Sequence, residues 1–182
     1  MKTLALLALM VVLGLGAPAA AEGLDDVLRL PCPVGEDDLP ARIEGILRQY
    51  GPEIVERSRG FEAFDGSYQH ETLVWYLGML ESPDARAIGR RILREAPERL
   101  AYRFLAGVAQ KPSWEAVALL LEGIERPEDV LRSSASTMLA DLDMRAFRPA
   151  QGTDAAVRAA AIARVSAAMA KETDPATAAT LQ

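Results

Sequence analysis

The sequence predicts an all-α protein with a single folded domain over residues 39–182. Apolar residues recur three and four positions apart along much of the chain after residue 38, which is the period of an amphipathic helix. Proline or glycine separates these stretches at short intervals. No segment alternates β-branched and polar residues over the length of a strand, so we expect no sheet.

The first 21 residues have the layout of a secretory signal peptide. Lys2 supplies a positive charge, an apolar run extends from Leu4 to Leu15, and Ala19 to Ala21 provide small side chains before Glu22. The run is shorter than the ~20 residues that span a bilayer. We therefore expect residues 1–21 to be removed, with Glu22 as the first residue of the mature chain.

Composition and charge favour a protein of the bacterial periplasm, or a secreted one. Arginine outnumbers lysine 17 to 3 and alanine is abundant, which is typical of proteins from GC-rich bacterial genomes. The formal charge of −6 argues against non-specific nucleic-acid binding, because such binding needs a net positive face. No later segment is long and apolar enough for membrane insertion.

Residues 22–38 are predicted to form an irregular lead-in with one short turn around Leu24–Leu28. Two prolines flank Cys32, and an acidic run follows it. A lone cysteine cannot form an internal disulfide, so the hydrophobic core must hold the domain together. Cys32 is interpreted as an inert thiol, with an intermolecular disulfide as the alternative.

The domain is predicted to begin with a helix, an irregular segment and a buried helix. The apolar residues of 39–50 fall on one stripe, and Gly51-Pro52 is predicted to end that helix and to open a short segment. The period lapses over residues 61–69, where Asp65-Gly66 predicts a turn. Residues 71–81 are apolar on nearly every side, which predicts the central helix of the fold.

Five further helices are predicted from their start signals. Ser82-Pro83 supplies an N-cap and a proline in the first turn. Comparable breaks precede the helices that begin near Pro97, Ser113 and Asp129. An irregular stretch over residues 143–153 precedes the last helix, which begins at Asp154.

The prolines at predicted helix starts recur with a period of about 30 residues. Pro52, Pro83 and Pro112 form one series, and Pro97 and Pro127 form a second that interleaves with it. Two helix starts in each period describe a repeated unit of two helices. One such hairpin buries only one face, so neighbouring units must stack to form a continuous core.

Residues 83–171 resemble HEAT-like helical repeats, the proteins known as α-solenoids. The segment Asp154–Ala161 is similar to the first helix of such a repeat, Asp129–Ala135 is a partial echo of it, and Ser82–Arg86 resembles the turn between repeats. The resemblance implies a short right-handed stack of antiparallel helix pairs that offers a binding surface, with no specific activity. In that family the Asp caps the helix and the Arg pairs with neighbouring acids or repeats. An irregular orthogonal helical bundle is the alternative fold.

No residue pattern indicates a catalytic or metal site. His70 is the only histidine, and the cysteine and histidine spacings of zinc sites are absent. Glu62 and Asp65 could form an acid pair of the kind used in sugar hydrolysis, and Asp141 with Asp143 could hold a cation. Such pairs are common on solvated surfaces. We therefore expect no cofactor, no metal and no catalytic residue, and an acid-dependent hydrolase ranks third among the functional hypotheses.

Aromatic residues are concentrated in one region of the chain. Six of the ten lie between residues 50 and 76. Phe61, Phe64 and Tyr68 are candidates for an aromatic groove that binds a peptide or a glycan, because aromatic side chains are enriched where binding energy concentrates. The alternative is that they only close the irregular segment onto the core.

Arginines are concentrated on the helix after Pro83. Arg86, Arg90 and Arg94 lie four positions apart and are predicted to share one face. That face is a candidate for binding an acidic partner, or else a solvated surface with i,i+4 ion pairs.

The sequence therefore predicts an exported adaptor or protein-binding module without catalytic activity. We expect it to be monomeric or weakly dimeric, with another protein of the periplasm or envelope as its partner. A small-molecule or glycan-binding protein that uses residues 50–76 is the second hypothesis.

Overall fold

The computed structural model describes residues 23–29, 39–142 and 154–171, and all regular structure within these ranges is helical. The predicted all-α class is therefore confirmed. The α-helices in these ranges are α1 (Leu24–Arg29), α2 (Leu39–Ser58), α3 (Tyr68–Met79), α4 (Pro83–Glu95), α5 (Glu98–Val108), α6 (Trp114–Ile124), α7 (Asp129–Ala140) and α8 (Asp154–Lys171). A short 3₁₀ helix, Phe61–Ala63, lies between α2 and α3.

Several predictions fall on other parts of the chain. The predicted signal peptide at residues 1–21, Cys32, Asp143 and the irregular stretch 143–153 lie outside the described residues. Within the described ranges, no helix combines the length and the apolar character that a bilayer crossing requires.

Serine N-caps set the starts of three helices. The hydroxyl groups of Ser67, Ser82 and Ser113 accept hydrogen bonds from the backbone N–H three residues further on, at 3.4, 3.2 and 3.1 Å respectively. Each bond satisfies an N–H group that has no partner inside the helix. Pro83 occupies the first turn of α4, where its missing N–H removes no helical bond. The predicted helix start at Ser82-Pro83 is confirmed.

The prediction that Gly51-Pro52 ends a helix is wrong, because α2 continues through both residues to Ser58. Pro52 cannot donate a hydrogen bond to the carbonyl of Arg48, and a proline inside a helix costs about 3 kcal/mol. Arg48 is exposed, so water can satisfy that carbonyl. Beyond the proline, Ile54 and Ser58 are buried, and α2 contacts both α3 and α4. Burial of apolar surface there offsets the lost hydrogen bond.

The first helix belongs to the same core as the rest of the fold. Leu24, Val27 and Leu28 of α1 are buried, and α1 contacts α3. The short turn expected around Leu24–Leu28 is thus a docked helix, and the hydrophobic core extends to residues before 39.

From α2 to α8, the helix contacts follow a regular order. Helices adjacent in sequence contact each other from α2 to α7. The even-numbered helices also contact in series, α2 with α4, α4 with α6 and α6 with α8, as do the odd-numbered helices α3, α5 and α7. From α2 to α7, each helix therefore packs against its sequence neighbours within that range and against the next helix but one, and α8 packs against α6.

The buried central helix predicted over residues 71–81 is α3, which ends at Met79, and its crossing with α5 lies in the core. Gly78 of α3 and Gly107 of α5 meet there, and each lacks the side chain that would keep the two backbones apart. A Cβ added at Gly78 would overlap the carbonyl oxygen of Phe104, and one added at Gly107 would overlap that of Trp75. Two glycines therefore permit the close approach of the helices.

A polar link accompanies this crossing. The Glu71 side chain on α3 is 2% exposed, and Arg103 on α5 donates from Nε to its Oε2 at 2.9 Å. Arg99, one turn earlier on α5, places its Nε against Oε1. A buried carboxylate needs such compensation, because desolvation disfavours the charged form.

Candidate functional site

The predicted arginine row on α4 does not form one exposed face. Arg86 is 4% exposed, and its Nη1 donates to the carbonyl of Gly78 at 3.2 Å. Burial lowers the pKa of the Arg86 guanidinium below its usual value, while the carboxylates of Glu115 and Glu81 act in the opposite direction. Arg86 therefore satisfies a carbonyl near the end of α3 from inside the fold, where a partner protein has no access to it.

Arg90 and Arg94 have different surroundings. Arg90 pairs with Glu115 at 2.9 Å and with Glu122 at 3.4 Å, both on α6. Glu122 also pairs with Arg164 of α8 at 3.3 Å, so these charges link α4, α6 and α8. Of the three predicted arginines, Arg94 is the one left exposed. The row therefore contributes mainly to contacts between helices.

The three predicted aromatic residues are also separated. Phe61 is 2% exposed, with the Arg91 guanidinium 5.1 Å from its ring centroid. Tyr68 is 46% exposed at the first position of α3. Phe64 stacks on His70, with ring centroids 4.2 Å apart and an interplanar angle of 2°. Of these aromatics, only Phe64 lines the cleft at α1, α2 and α3.

That cleft, of about 390 Å³, lies between α1, α2 and the start of α3. Leu28 and Leu73 form its floor, and both are buried. Phe64 and His70 form one wall. The remaining lining residues are polar or charged and lie around the opening: Asp25, Arg29, Arg57 and Gln69.

Charges around the cleft are compensated. Arg57 donates from Nη1 to Asp25 Oδ1 at 2.5 Å and lies 3.1 Å from Glu53. The hydrogen bond from Arg57 holds the pKa of Asp25 below its usual value, and the same bond raises the pKa of Arg57. Arg29 lies 3.7 Å from Asp26. Both arginines at the opening thus already have a carboxylate partner.

Local hydrogen bonds hold His70 in place. Its Nδ1 lies 2.7 Å from Asp65 Oδ1, and because an ionised carboxylate only accepts, the tautomer with a proton on Nδ1 makes this bond; the backbone N–H of Ser67 donates to the same oxygen at 2.8 Å. The hydrogen bonds from Ser67, with a smaller contribution from His70, lower the pKa of Asp65 to about 2. With Nδ1 engaged, Nε2 is the ring nitrogen left for another partner.

A second groove, of about 500 Å³, is more apolar and lies between α2 and the turn from α3 to α4. Its apolar lining comes from both sides: Leu47, Pro52 and Val55 of α2, and Leu80 and Pro83 beyond α3. At its edge, Arg59 pairs with Glu56 at 3.1 Å and with Asp84 at 2.7 Å. The apolar stripe of α2 continues from the groove to Ile46 and Ile43, which are partly exposed.

The predicted acid pair is divided between two sets of contacts. Glu62 forms an ion pair with Arg91, while Asp65 is bound by Ser67 and His70. In the part of the chain that the structure describes, no cluster of three or more His, Cys, Asp or Glu residues is placed to hold a metal ion.

Sequence reasoning named Phe64, one lining residue of the cleft, but did not predict the rest of either concave surface. Asp25 and Arg57 are 32 residues apart, and no local pattern connects them. The apolar groove had a partial signal in the stripe over residues 39–50, but its other side comes from Leu80 and Pro83. Contacts of this range depend on how the helices pack.

No protein-family model, no curated protein and no solved structure matches this chain.

Proposed function

We propose that this protein is an exported adaptor, in which a HEAT-like stack of antiparallel helix pairs holds an apolar groove for a segment of another envelope protein. The groove between α2 and the α3–α4 turn is the observation that carries the proposal. The adaptor has no catalytic activity of its own and acts as a monomer or weak dimer.

The order of helix contacts supports the stack. In a solenoid, each helix packs on its pair mate and on the equivalent helix of the next pair. The contacts from α2 to α7 follow that order, and α8 contacts α6. Pro83 and Pro112 remain close to helix starts, although Pro52 lies inside α2. Ion pairs also join next-but-one helices, as in the chain from Arg90 through Glu122 to Arg164.

The chemistry of the groove supports a protein segment as its occupant. Its lining is mainly apolar, and an amphipathic helix binds such a groove through residues spaced three and four apart. At the edge, the two carboxylates of Glu56 and Asp84 surround the single guanidinium of Arg59. We therefore expect the bound segment to carry an apolar face with a basic residue beside it.

Export is proposed from the signal peptide at residues 1–21. Mass spectrometry of the chain recovered from the periplasmic fraction of the source bacterium should give a mature N-terminus at Glu22. Recovery of the uncleaved chain from the cytoplasm would contradict this part of the proposal.

Site-specific photo-crosslinking tests the adaptor function. A benzophenone amino acid is placed at Leu47 in the groove or, as a control, at Val130, which is 67% exposed on α7. The position 47 variant should give one dominant cross-linked protein in living cells, and the position 130 variant should not.

A second substitution shows whether that product depends on the groove. Val55→Asp should abolish cross-linking from position 47, whereas Val130→Asp should leave it unchanged, with helicity checked by circular dichroism. Absence of a product, or identical products from both positions, would overturn the adaptor function.

A further inference from the structure

The cleft at α1, α2 and α3 is a second concave surface, separate from the apolar groove. Its floor is apolar, from Leu28 and Leu73, and its wall is the stacked pair of Phe64 and His70. Its volume of about 390 Å³ lies within the range of small-molecule sites. An apolar floor with a few polar groups around it suits a ring that is apolar on one face and polar at its edge.

The polar groups around the cleft offer both donors and acceptors. The carboxylate of Asp25 accepts hydrogen bonds, the guanidinium of Arg57 donates them, and the amide of Gln69 does both. The two charged groups are paired with each other at 2.5 Å. A carboxylate oxygen has more than one lone pair and a guanidinium has five N–H groups, so each can bind a ligand while staying paired.

The ion pairs around the cleft favour a neutral ligand over an anion. Arg57 is held by Asp25 and Glu53, and Arg29 lies next to Asp26. An anion would have to compete with these carboxylates for the guanidinium groups. A neutral hydroxyl can donate to Asp25 and accept from Arg57 without breaking the ion pair.

His70 adds a fixed group to the wall. Asp65 holds its Nδ1 at 2.7 Å, and the ring is stacked on Phe64, so its orientation is set before any ligand arrives. Preorganised groups of this kind bind with a smaller loss of conformational entropy.

We propose that this cleft binds a neutral sugar of about one ring, with hydroxyl groups at Asp25, Arg57 and Gln69 and a carbon face against Leu28, Leu73 and Phe64. The proposal does not depend on the adaptor function, because the cleft and the apolar groove share no lining residue.

The test is an amide-resolved NMR titration of the mature protein with neutral hexoses, a neutral pentose and N-acetylglucosamine, each added separately at millimolar concentration. At least one sugar should give saturable shifts confined to α1, the end of α2 and residues 64–73. Sodium phosphate and citrate are the anionic probes and should give none there.

Matched variants locate the site. Asp25→Asn should raise the Kd for the active sugar about tenfold, because it removes a charged acceptor. Gln69→Ala should raise the Kd severalfold, and Gln110→Ala, in the turn after α5, should leave it unchanged. No saturable shift with any sugar, or shifts with the anions alone, would overturn the proposal, and neither result would bear on cross-linking from the apolar groove.

Discussion

The α3–α5 crossing and the N-terminal half of α2 are both apolar helical stretches, yet they are buried to different extents. Leu73, Val74 and Leu77 of α3 are buried almost completely. Ile43 and Ile46 of α2 remain partly exposed. Residues 71–81 are apolar on nearly every side, whereas the apolar residues of 39–50 form one stripe, so the sequence accounts for part of the difference.

The other part comes from how closely a second helix can approach. Gly78 and Gly107 allow the backbones of α3 and α5 to meet, and apolar side chains of both helices are buried. In the first half of α2, Gly45 has no heavy atom within 4 Å of the position that a Cβ would take. A glycine is therefore important to packing only where another helix uses the space it leaves.

The largest effect is expected at the glycine contact itself. Gly107→Ala should destabilise the protein by more than about 3 kcal/mol, because its methyl group would overlap a backbone carbonyl that cannot move independently. The matched control, Gly45→Ala in α2, should stabilise it by about 0.5–1 kcal/mol through helix propensity. Urea unfolding followed by circular dichroism measures the free energy of unfolding of both variants. Equal effects at the two positions would show that the α3–α5 contact does not require a residue without a side chain at position 107.

Truncation of apolar side chains should show the same contrast at a smaller scale. Leu77→Ala should cost about 2–5 kcal/mol, because Leu77 is 0% exposed and a cavity would remain. Ile43→Ala should cost about 1 kcal/mol, since its side chain is partly in water already. The free energy of unfolding for each variant is the measurement. A larger loss of stability for Ile43→Ala than for Leu77→Ala would indicate that another surface covers the N-terminal half of α2 in solution.

In the polar link at the α3–α5 crossing, loss of the two arginines should cost more stability than loss of the carboxylate. Replacing both Arg99 and Arg103 with alanine leaves the buried Glu71 carboxylate without a cation and should cost about 2 kcal/mol. Glu71→Gln leaves two arginines that water can solvate and should cost less than about 1 kcal/mol. Unfolding curves at neutral pH give both values, and the reverse order would show that the carboxylate is not the costly partner.

The smallest effect is expected at the turn before α3. Asp65 should titrate with a pKa of about 2 in the folded protein, below its unfolded value. The stability it contributes is therefore present above a pH of about 4 and is lost as the pH falls towards about 2. Carbonyl ¹³C NMR follows the titration directly. In a His70→Gln variant the pKa should stay lowered, because the Ser67 hydrogen bonds remain, and an ordinary pKa there would assign the shift to His70.

Local sequence determined the elements of this fold in large part. Hydroxyl side chains and prolines predicted the start of α4, and the apolar run at residues 71–81 predicted the buried α3. The continuation of α2 through Pro52 was not predictable, because burial of Ile54 beyond it outweighs a lost hydrogen bond.

The surfaces of the molecule were decided only by the tertiary structure. Arg86, Arg90 and Arg94 share a sequence spacing, but the neighbours of α4 bury the first, pair the second and leave the third in solvent. The pairing of Asp25 with Arg57 likewise requires α1 and α2 to meet. Capping and helical periodicity act over a few residues and can be read locally. Burial and charge compensation depend on which distant helices come together, so the cleft and the groove arise only in the packed fold.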